Sequence, residues 1–381
     1  MAILFDSIKN EIIKEITDIR RSIHMNPELG NWEFETADLI ERYLNSIGIP
    51  TRRYLDTAVV GIIEFDKPGK RIAFRADIDA LPVEESTGVD YASQVKGVMH
   101  ACGHDVHTAA LLGAARLLID VKDQLSGSAV LIFQPDEEGD GGAKRLIAEG
   151  VLDGVEAIYG AHVAPDLPEG TVGIRYDKFY AAADMFDVTV RGRASHGAQP
   201  EKGIDALAAA AEAVVRIKGL PEGEKDKCVV STGMFKAGTV RNQIADTAEF
   251  SGIIRSLGAD NRENLRRRLI KSVNDACDKY GATAAFNFKE SYMGIVNTHN
   301  EVITAETAAL TEFGRNSVVI IEGPLMTTED FGFYIDECGG CFYHIGAGCE
   351  MPLHSPEFIP TEGALITAMR MHAAVAVEKL K

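Results

Sequence analysis

Apolar residues recur along the chain at two spacings, and the changes of spacing mark its elements. Ile8, Ile12, Ile16, Ile19 and Ile23 fall on one helical face, with Asp6 or Ser7 placed to cap it. Phe34, Ala37, Ile40, Leu44 and Ile47 predict a second helix that stops at Gly48. Residues 59–65 and 71–76 read as strands, the second feeding into Asp77-Ile78-Asp79-Ala80-Leu81-Pro82. An apolar helix over 108–119 leads to a buried strand at 129–133. That strand ends in Gln134-Pro135-Asp136-Glu137-Glu138-Gly139, a glycine-rich loop and a helix. The next strand, 157–160, ends in Ala161-His162. Strand–helix alternation of this kind implies an α/β fold with a mostly parallel sheet covered on both faces. Ligands in such sheets sit at the carboxyl ends of the strands. Asp77, Asp79, Glu137, Glu138 and His162 are all expected just past those ends.

Around Tyr180 the pattern changes. Residues 183–191 read as a strand and 203–218 as an alanine-rich helix, followed by strands at 227–235 and 247–255. Asp260-Asn261-Arg262-Glu263 has the spacing of a capping box and opens a long helix that Gly281 ends. A last strand lies at 284–289. The order β-α-β-β-α-β makes a four-stranded sheet with two helices on one face. It is read as an inserted domain at 181–292, within a first domain made of 1–180 and 293–381. The first domain resumes with a helix at 300–313, strands at 318–321 and 341–345, a loop at 346–358 and a C-terminal helix from Thr361. Residues 221–227 read as an exposed loop.

The chain has 381 residues, enough for two domains, and a formal net charge of -18. That charge argues against nucleic acid or an anionic membrane as partner, since both require positive patches. It favours metal cations. Met1-Ala2-Ile3-Leu4-Phe5-Asp6 lacks a basic start followed by an apolar core, so no signal peptide is expected. The longest apolar run, 109–119, contains Arg116 and is too short to span a bilayer. Cys102, Cys228, Cys277, Cys338, Cys341 and Cys349 are scattered through a large acidic chain, which reads as reduced thiols and a cytoplasmic location. Cys338-Gly339-Gly340-Cys341 has no second pair beside it and reads as structural cysteines near a turn.

Chemistry concentrates in Met99-His100-Ala101-Cys102-Gly103-His104-Asp105-Val106-His107. Thiolate and imidazole are the usual ligands of zinc and its neighbours, and Gly103 tolerates whatever dihedrals their convergence requires. Cys102, His104, Glu138, His162 and His354 supply five ligands, too many for one tetrahedral ion. They suit two ions that share a bridging ligand and a water, with Cys102 able to bridge as a thiolate. Glu137, beside Glu138, is then the candidate general base, a carboxylate outside the ligand set that can take a proton from water and pass it to a leaving amine. Adjacent strand residues point to opposite faces, so this pair needs a turn. Pro135 and Gly139 flank it as a turn requires.

Five motifs occur in order: Ala-Cys-Gly-His-Asp-Val-His from Ala101, Phe-Gln-Pro-Asp-Glu-Glu-Gly from Phe133, Gly-Ala-His-Val from Gly160, Ala-Ser-His-Gly-Ala-Gln-Pro from Ala194, and Leu-His-Ser-Pro-Glu-Phe from Leu353. Together they resemble the peptidase M20 family of amidohydrolases, in the branch of aminoacylase-like N-acyl-amino-acid hydrolases, hippurate hydrolases and plant auxin-conjugate hydrolases. The resemblance implies a zinc-exopeptidase-like catalytic domain with an inserted ferredoxin-like lid that dimerises. It implies two divalent ions per subunit (zinc, manganese, cobalt or nickel) on Cys102, His104, Glu138, His162 and His354, with Glu137 as base. It also implies that His196 reaches the partner subunit's active site and polarises the scissile carbonyl, and that Asn242 and Arg255 hold the substrate carboxylate. The wider superfamily carries His-x-Asp where this chain has Asp77-Ile78-Asp79, so Asp79 either orients a ligand or is itself one. Ala245 stands where many relatives have proline. The expected activity is hydrolysis of the amide of an N-acyl amino acid or similar small conjugate. The alternatives are a dipeptidase or carboxypeptidase on the same scaffold, or a non-catalytic metal- or ligand-binding protein with a relic site.

Overall fold

The computed structural model describes residues 5, 7–222 and 224–381. Asp6, Gly223 of the predicted loop, and residues 1–4 of the N-terminal reading lie outside the described residues. Chain contacts divide it into two compact units, one of Met1–Asp177, Asn297–Gly323 and Asp330–Lys381, the other of Lys178–Val296 and Pro324–Glu329.

The first unit is built on an eight-stranded mixed sheet. Lys67–Asp77 lies parallel to both Ser126–Gln134 and Ala157–Ala164, and Gly340–Gly346 runs parallel to Ala157–Ala164 on its other side. Beyond the exposed start of Lys67–Asp77 and the half-exposed first residues of Ser126–Gln134, these central strands are buried because helices cover both faces. On one face Phe74 stacks on Tyr159, with ring centroids 5.7 Å apart, and meets His372 of the C-terminal helix Glu362–Leu380. On the other pleat Gly160 leaves room only for the ring of Phe331. Helix His104–Asp120 is buried along nearly its whole length, which is why its sequence shows no polar stripe.

The second unit has four antiparallel strands in the order Val229–Ala237, Thr247–Ser256, Ala182–Arg191, Thr283–Glu290. Phe186, Val188 and Val190 alternate inward against helices Ala206–Lys218 and Ala259–Tyr280. The strand order and the antiparallel pairing are those of a ferredoxin-like α+β unit. Among the described residues, no helix is long and apolar enough to cross a membrane.

Some element ends differ from the expectation. The first helix is Asn10–Met25 with Lys9 at its N-cap and no side-chain cap, so Ser7 and Ile8 precede it. Helix Ala259–Tyr280 begins after Gly258, which puts Asp260 inside the first turn and leaves the Asp260–Glu263 capping box unformed. Strand Ala157–Ala164 runs four residues further than its apolar run because it is paired with Gly340–Gly346, His344 opposite His162. His162 is therefore a strand residue.

Candidate metal centre

The carboxyl ends of the central strands and the start of one helix meet at a single place in the first unit. Cys102-Gly103-His104 makes the corner into helix His104–Asp120. Gly103 has φ +88°, and a Cβ there would stand 2.5 Å from Val163 Cγ2, so only glycine lets the corner lie this close to the strand of His162.

Ligand-type atoms of Cys102, His104 and His162 lie within 4.8 Å of one another, as do those of Cys102, Glu138 and His354, and those of His104, Glu137 and Glu138. Cys102 is common to the first two groups. Its Sγ is 3.3 Å from His162 Nε2. His162 Nδ1 lies 2.7 Å from the Val163 carbonyl and His104 Nδ1 2.9 Å from the Asp79 carbonyl. A carbonyl only accepts, so both Nδ1 atoms carry a proton, which leaves each Nε2 as the ring atom available to an ion. His104 Nε2 is buried with no hydrogen-bond partner. His354 has φ +66°, is half-exposed and is held by its own N–H to the Ala101 carbonyl at 2.8 Å. Its Nε2 stands 3.1 Å from Glu138 Oε1, a close approach without hydrogen-bond alignment.

The electrostatics are those of a site that wants positive charge. Burial pulls His104 down, but Asp77, Asp79 and Glu138 outweigh it and raise its pKa to about 10. Burial together with Glu138 and Glu137 pushes the Cys102 thiol well up. Burial would raise Glu138, yet His354 and His104 hold it at about 2. Buried soft and hard donors, a thiol with carboxylates around it and an orphaned imidazole nitrogen fit divalent cations.

Asp79 serves two neighbours: Oδ1 is 3.3 Å from His104 Nδ1, and Oδ2 accepts the backbone N–H of Glu138 at 3.0 Å. A further layer, to which the sequence motifs assign no role, lies behind these residues. His107 Nδ1 lies 2.6 Å from Asp77 Oδ1, and its Nε2 accepts the N–H of Val163. Arg75 bonds Asp77 Oδ2, Gln134 Oε1 and Asp330 Oδ1 at 2.7–2.9 Å with all four groups buried. Arg20 pairs with Asp105 at 2.7 Å, beside His104. The one signal for these in the sequence is a charge inside an apolar run, as Arg75 in Ile72-Ala73-Phe74-Arg75-Ala76.

In the second unit His196 pairs with Gln243 in a short antiparallel ladder, and Gly197 N–H donates to the Asn242 carbonyl at 2.7 Å. Arg255 Nη1 donates to the Met326 carbonyl at 2.5 Å, while its Nε is buried without a partner.

The sequence profile of Peptidase family M20/M25/M40 matches residues 73–378. The chain belongs to this family. Among M20 relatives, the thermostable carboxypeptidase 2 of Saccharolobus solfataricus is 38% identical over 391 residues, 98% of each chain. The N-acetyl-L-cysteine deacetylase of Bacillus subtilis is 36% identical, over 93% of this chain and 86% of its own. The crystal structure of the Bacillus subtilis YXEP protein, described as a dinuclear metal binding peptidase from the M20 family, superimposes with a TM-score of 0.88 at 33% identity, covering 97% of this chain and 98% of that one. Like these M20 proteins, the chain is a hydrolase.

Proposed function

We propose that this chain hydrolyses the amide bond of N-acyl amino acids or similar small conjugates, with two divalent cations (zinc, manganese, cobalt or nickel) held by Cys102, His104, Glu138, His162 and His354. The observation that carries the reading is the pair of donor groups sharing Cys102, with both imidazole Nε2 atoms turned inward. Bound there, the ions would supply an acidified water and polarise the scissile carbonyl. Glu137 takes a proton from the attacking water and delivers it to the leaving nitrogen. Asp79 fixes the tautomer of His104 and the backbone of Glu138. His196, from a partner subunit, donates to the carbonyl oxygen as negative charge grows on it. Asn242 and Arg255 hold the carboxylate of the amino-acid half, for which a guanidinium is suited.

The names of the relatives support this division of the substrate. A deacetylase of N-acetyl-L-cysteine and a carboxypeptidase both release an amino acid with a free carboxylate, and they differ in what lies on the acyl side. The test is turnover by metal-loaded protein on N-acetyl and N-benzoyl amino acids against dipeptides with a free amino group. Preference for the acylated series is expected, and preference for the dipeptides would assign a peptidase. No turnover on either panel, with metal verified in the site, would refute the proposal.

Dimerisation through the second unit belongs to the same reading. Val229–Ala237 is an edge strand with Met234 and Phe235 exposed, and helix Ala206–Lys218 beside it exposes Leu207 and Val215, an edge that an isolated chain would otherwise have to protect. Met234→Asp is expected to yield monomers by sedimentation and to lose activity with them. The six cysteines are all free thiols, which supports a reducing, cytoplasmic setting.

A further inference from the structure

Glu33 occupies the N-cap position of helix Phe34–Ser46, where a carboxylate ordinarily accepts amides of the first turn. It makes no such bond. Glu28 does that instead, its two oxygens accepting from Glu35 N at 3.1 Å and Thr36 N at 2.9 Å. Glu33 is fully buried and reaches the other way. Its Oε1 accepts the backbone N–H of Asp136 at 3.0 Å, across 103 residues of sequence.

Asp136 immediately precedes Glu137 and has φ +60°, a left-handed conformation unfavourable to a residue with a side chain. Its carboxylate sits in a cradle with no spare room: a Cβ on Gly30 or Gly139 would come within 2.3 or 2.2 Å of Oδ1. On the far side of Glu137, the N–H of Glu138 donates to Asp79. Two buried carboxylates thus hold the amides that bracket Glu137. The bend between them lets two consecutive glutamates face His104 together, with all three donor atoms within 4.8 Å of one another. On a regular strand they would diverge.

We infer that Glu33 is a positioning residue: by holding the left-handed Asp136 it aims the Glu137 carboxylate at the reacting water. The inference rests on the reading of Glu137 as base. The task needs an acceptor oxygen and no charge. Burial, with the charge of Asp79 nearby, pushes the Glu33 carboxyl up to about 7, and its neutral and ionised forms both keep an oxygen for the Asp136 amide. Glutamine keeps one as well.

The experiment compares Glu33→Gln, Glu33→Met and Glu137→Gln with the wild type, reading kcat, KM, bound metal by mass spectrometry and the thermal midpoint. Methionine keeps the unbranched length of the side chain and removes the acceptor. Glu33→Met is expected to lose roughly ten- to a hundredfold in kcat, the cost of a misdirected group, with KM and metal content near wild type. Glu33→Gln is expected to recover most of kcat. Should Glu33→Met not fold, Glu33→Asp, which withdraws the oxygen by one methylene, carries the same expectation. Wild-type kcat in Glu33→Met beside an inactive Glu137→Gln overturns the role of Glu33 and leaves the base assignment standing. Equal loss in the Gln and Met variants, or a fall in the thermal midpoint with kcat unchanged, overturns it too. Turnover by Glu137→Gln overturns the base assignment itself, whatever the Glu33 variants do.

Discussion

Gly103→Ala is the smallest change that tests whether the corner between Cys102 and His104 is built for metal. The added methyl meets two separate costs. An alanine at φ +88° occupies the left-handed region, at about 1–2 kcal/mol. The methyl also arrives 2.5 Å from Val163 Cγ2, with Phe358 and Pro360 3.6 and 3.5 Å away on its other sides, so it cannot turn aside. Overpacking of this kind costs about 1–3 kcal/mol. Val163 is buried and follows His162, whose ring is pinned to the Val163 carbonyl. A displaced Val163 therefore carries the proposed ligand His162 with it. The strain of roughly 2–5 kcal/mol must appear either as lost stability of the metal-free protein or as lost metal affinity. If about 2 kcal/mol of it is met by moving Cys102 or His162, affinity falls roughly 30-fold. Metal titration by calorimetry and urea unfolding of chelator-treated protein measure the two shares. A variant with wild-type metal affinity and a wild-type urea midpoint would show that the close approach does not constrain the site.

Three further outcomes follow from the geometry. Glu137→Gln should abolish hydrolysis, by at least about a hundredfold in kcat, while bound metal stays at the wild-type ratio. Arg75→Met should cost about 3–5 kcal/mol of urea stability, because it leaves the Asp77 and Asp330 carboxylates buried without their cation. His24 is buried between Asp105 and Glu85, with Arg20, Tyr91 and His100 beside it. Burial and Arg20 lower its pKa, but Asp105 and Glu85 outweigh them and raise it from 6.5 to about 8. A pKa higher in the folded state means that its contribution, about 2 kcal/mol, is complete below pH 6.5 and lost as pH rises through 8. The urea midpoint should fall between pH 6 and pH 9, and His24→Gln should remove that part of the fall.

The elements that were legible in the chain are those whose burial repeats at a fixed period. The isoleucine stripe of the first helix and the apolar runs of the central strands carry their own signal, because one face or both must leave water. Strands such as Thr51–Tyr54 and Val172–Ile174 carry none, being short and held by a neighbour's free edge. Helix starts are not legible where a good capping residue lies two residues too early or too late, as with Ser7 and Asp260. Backbone conformation chose the boundary there, at Lys9 and Gly258, and the capping side chain had no amide to meet.

Ligand-type residues are legible for a different reason: a cysteine, three histidines and two adjacent glutamates beside strand ends have few bland uses, and the structure gathers Cys102, His104, Glu138, His162 and His354 in one unit. The layer that holds them is not legible in the same way. Arg20 lies in the apolar stripe of its helix, Arg75 lies inside a buried strand and Glu33 begins a helix that it does not cap. Each is a polar group that burial would penalise by several kcal/mol unless something met it, so the sequence alone requires that a partner exist. It gives no address for that partner. Asp105, Asp330 and the amide of Asp136 stand 85, 255 and 103 residues away, distances at which no spacing rule operates. A charge in an apolar run is therefore a query the chain poses to its own fold. Here all three answers lie against the same few residues, the neighbours of His104 and Glu137, as expected if rigidity at the metal centre is what those buried groups are kept for.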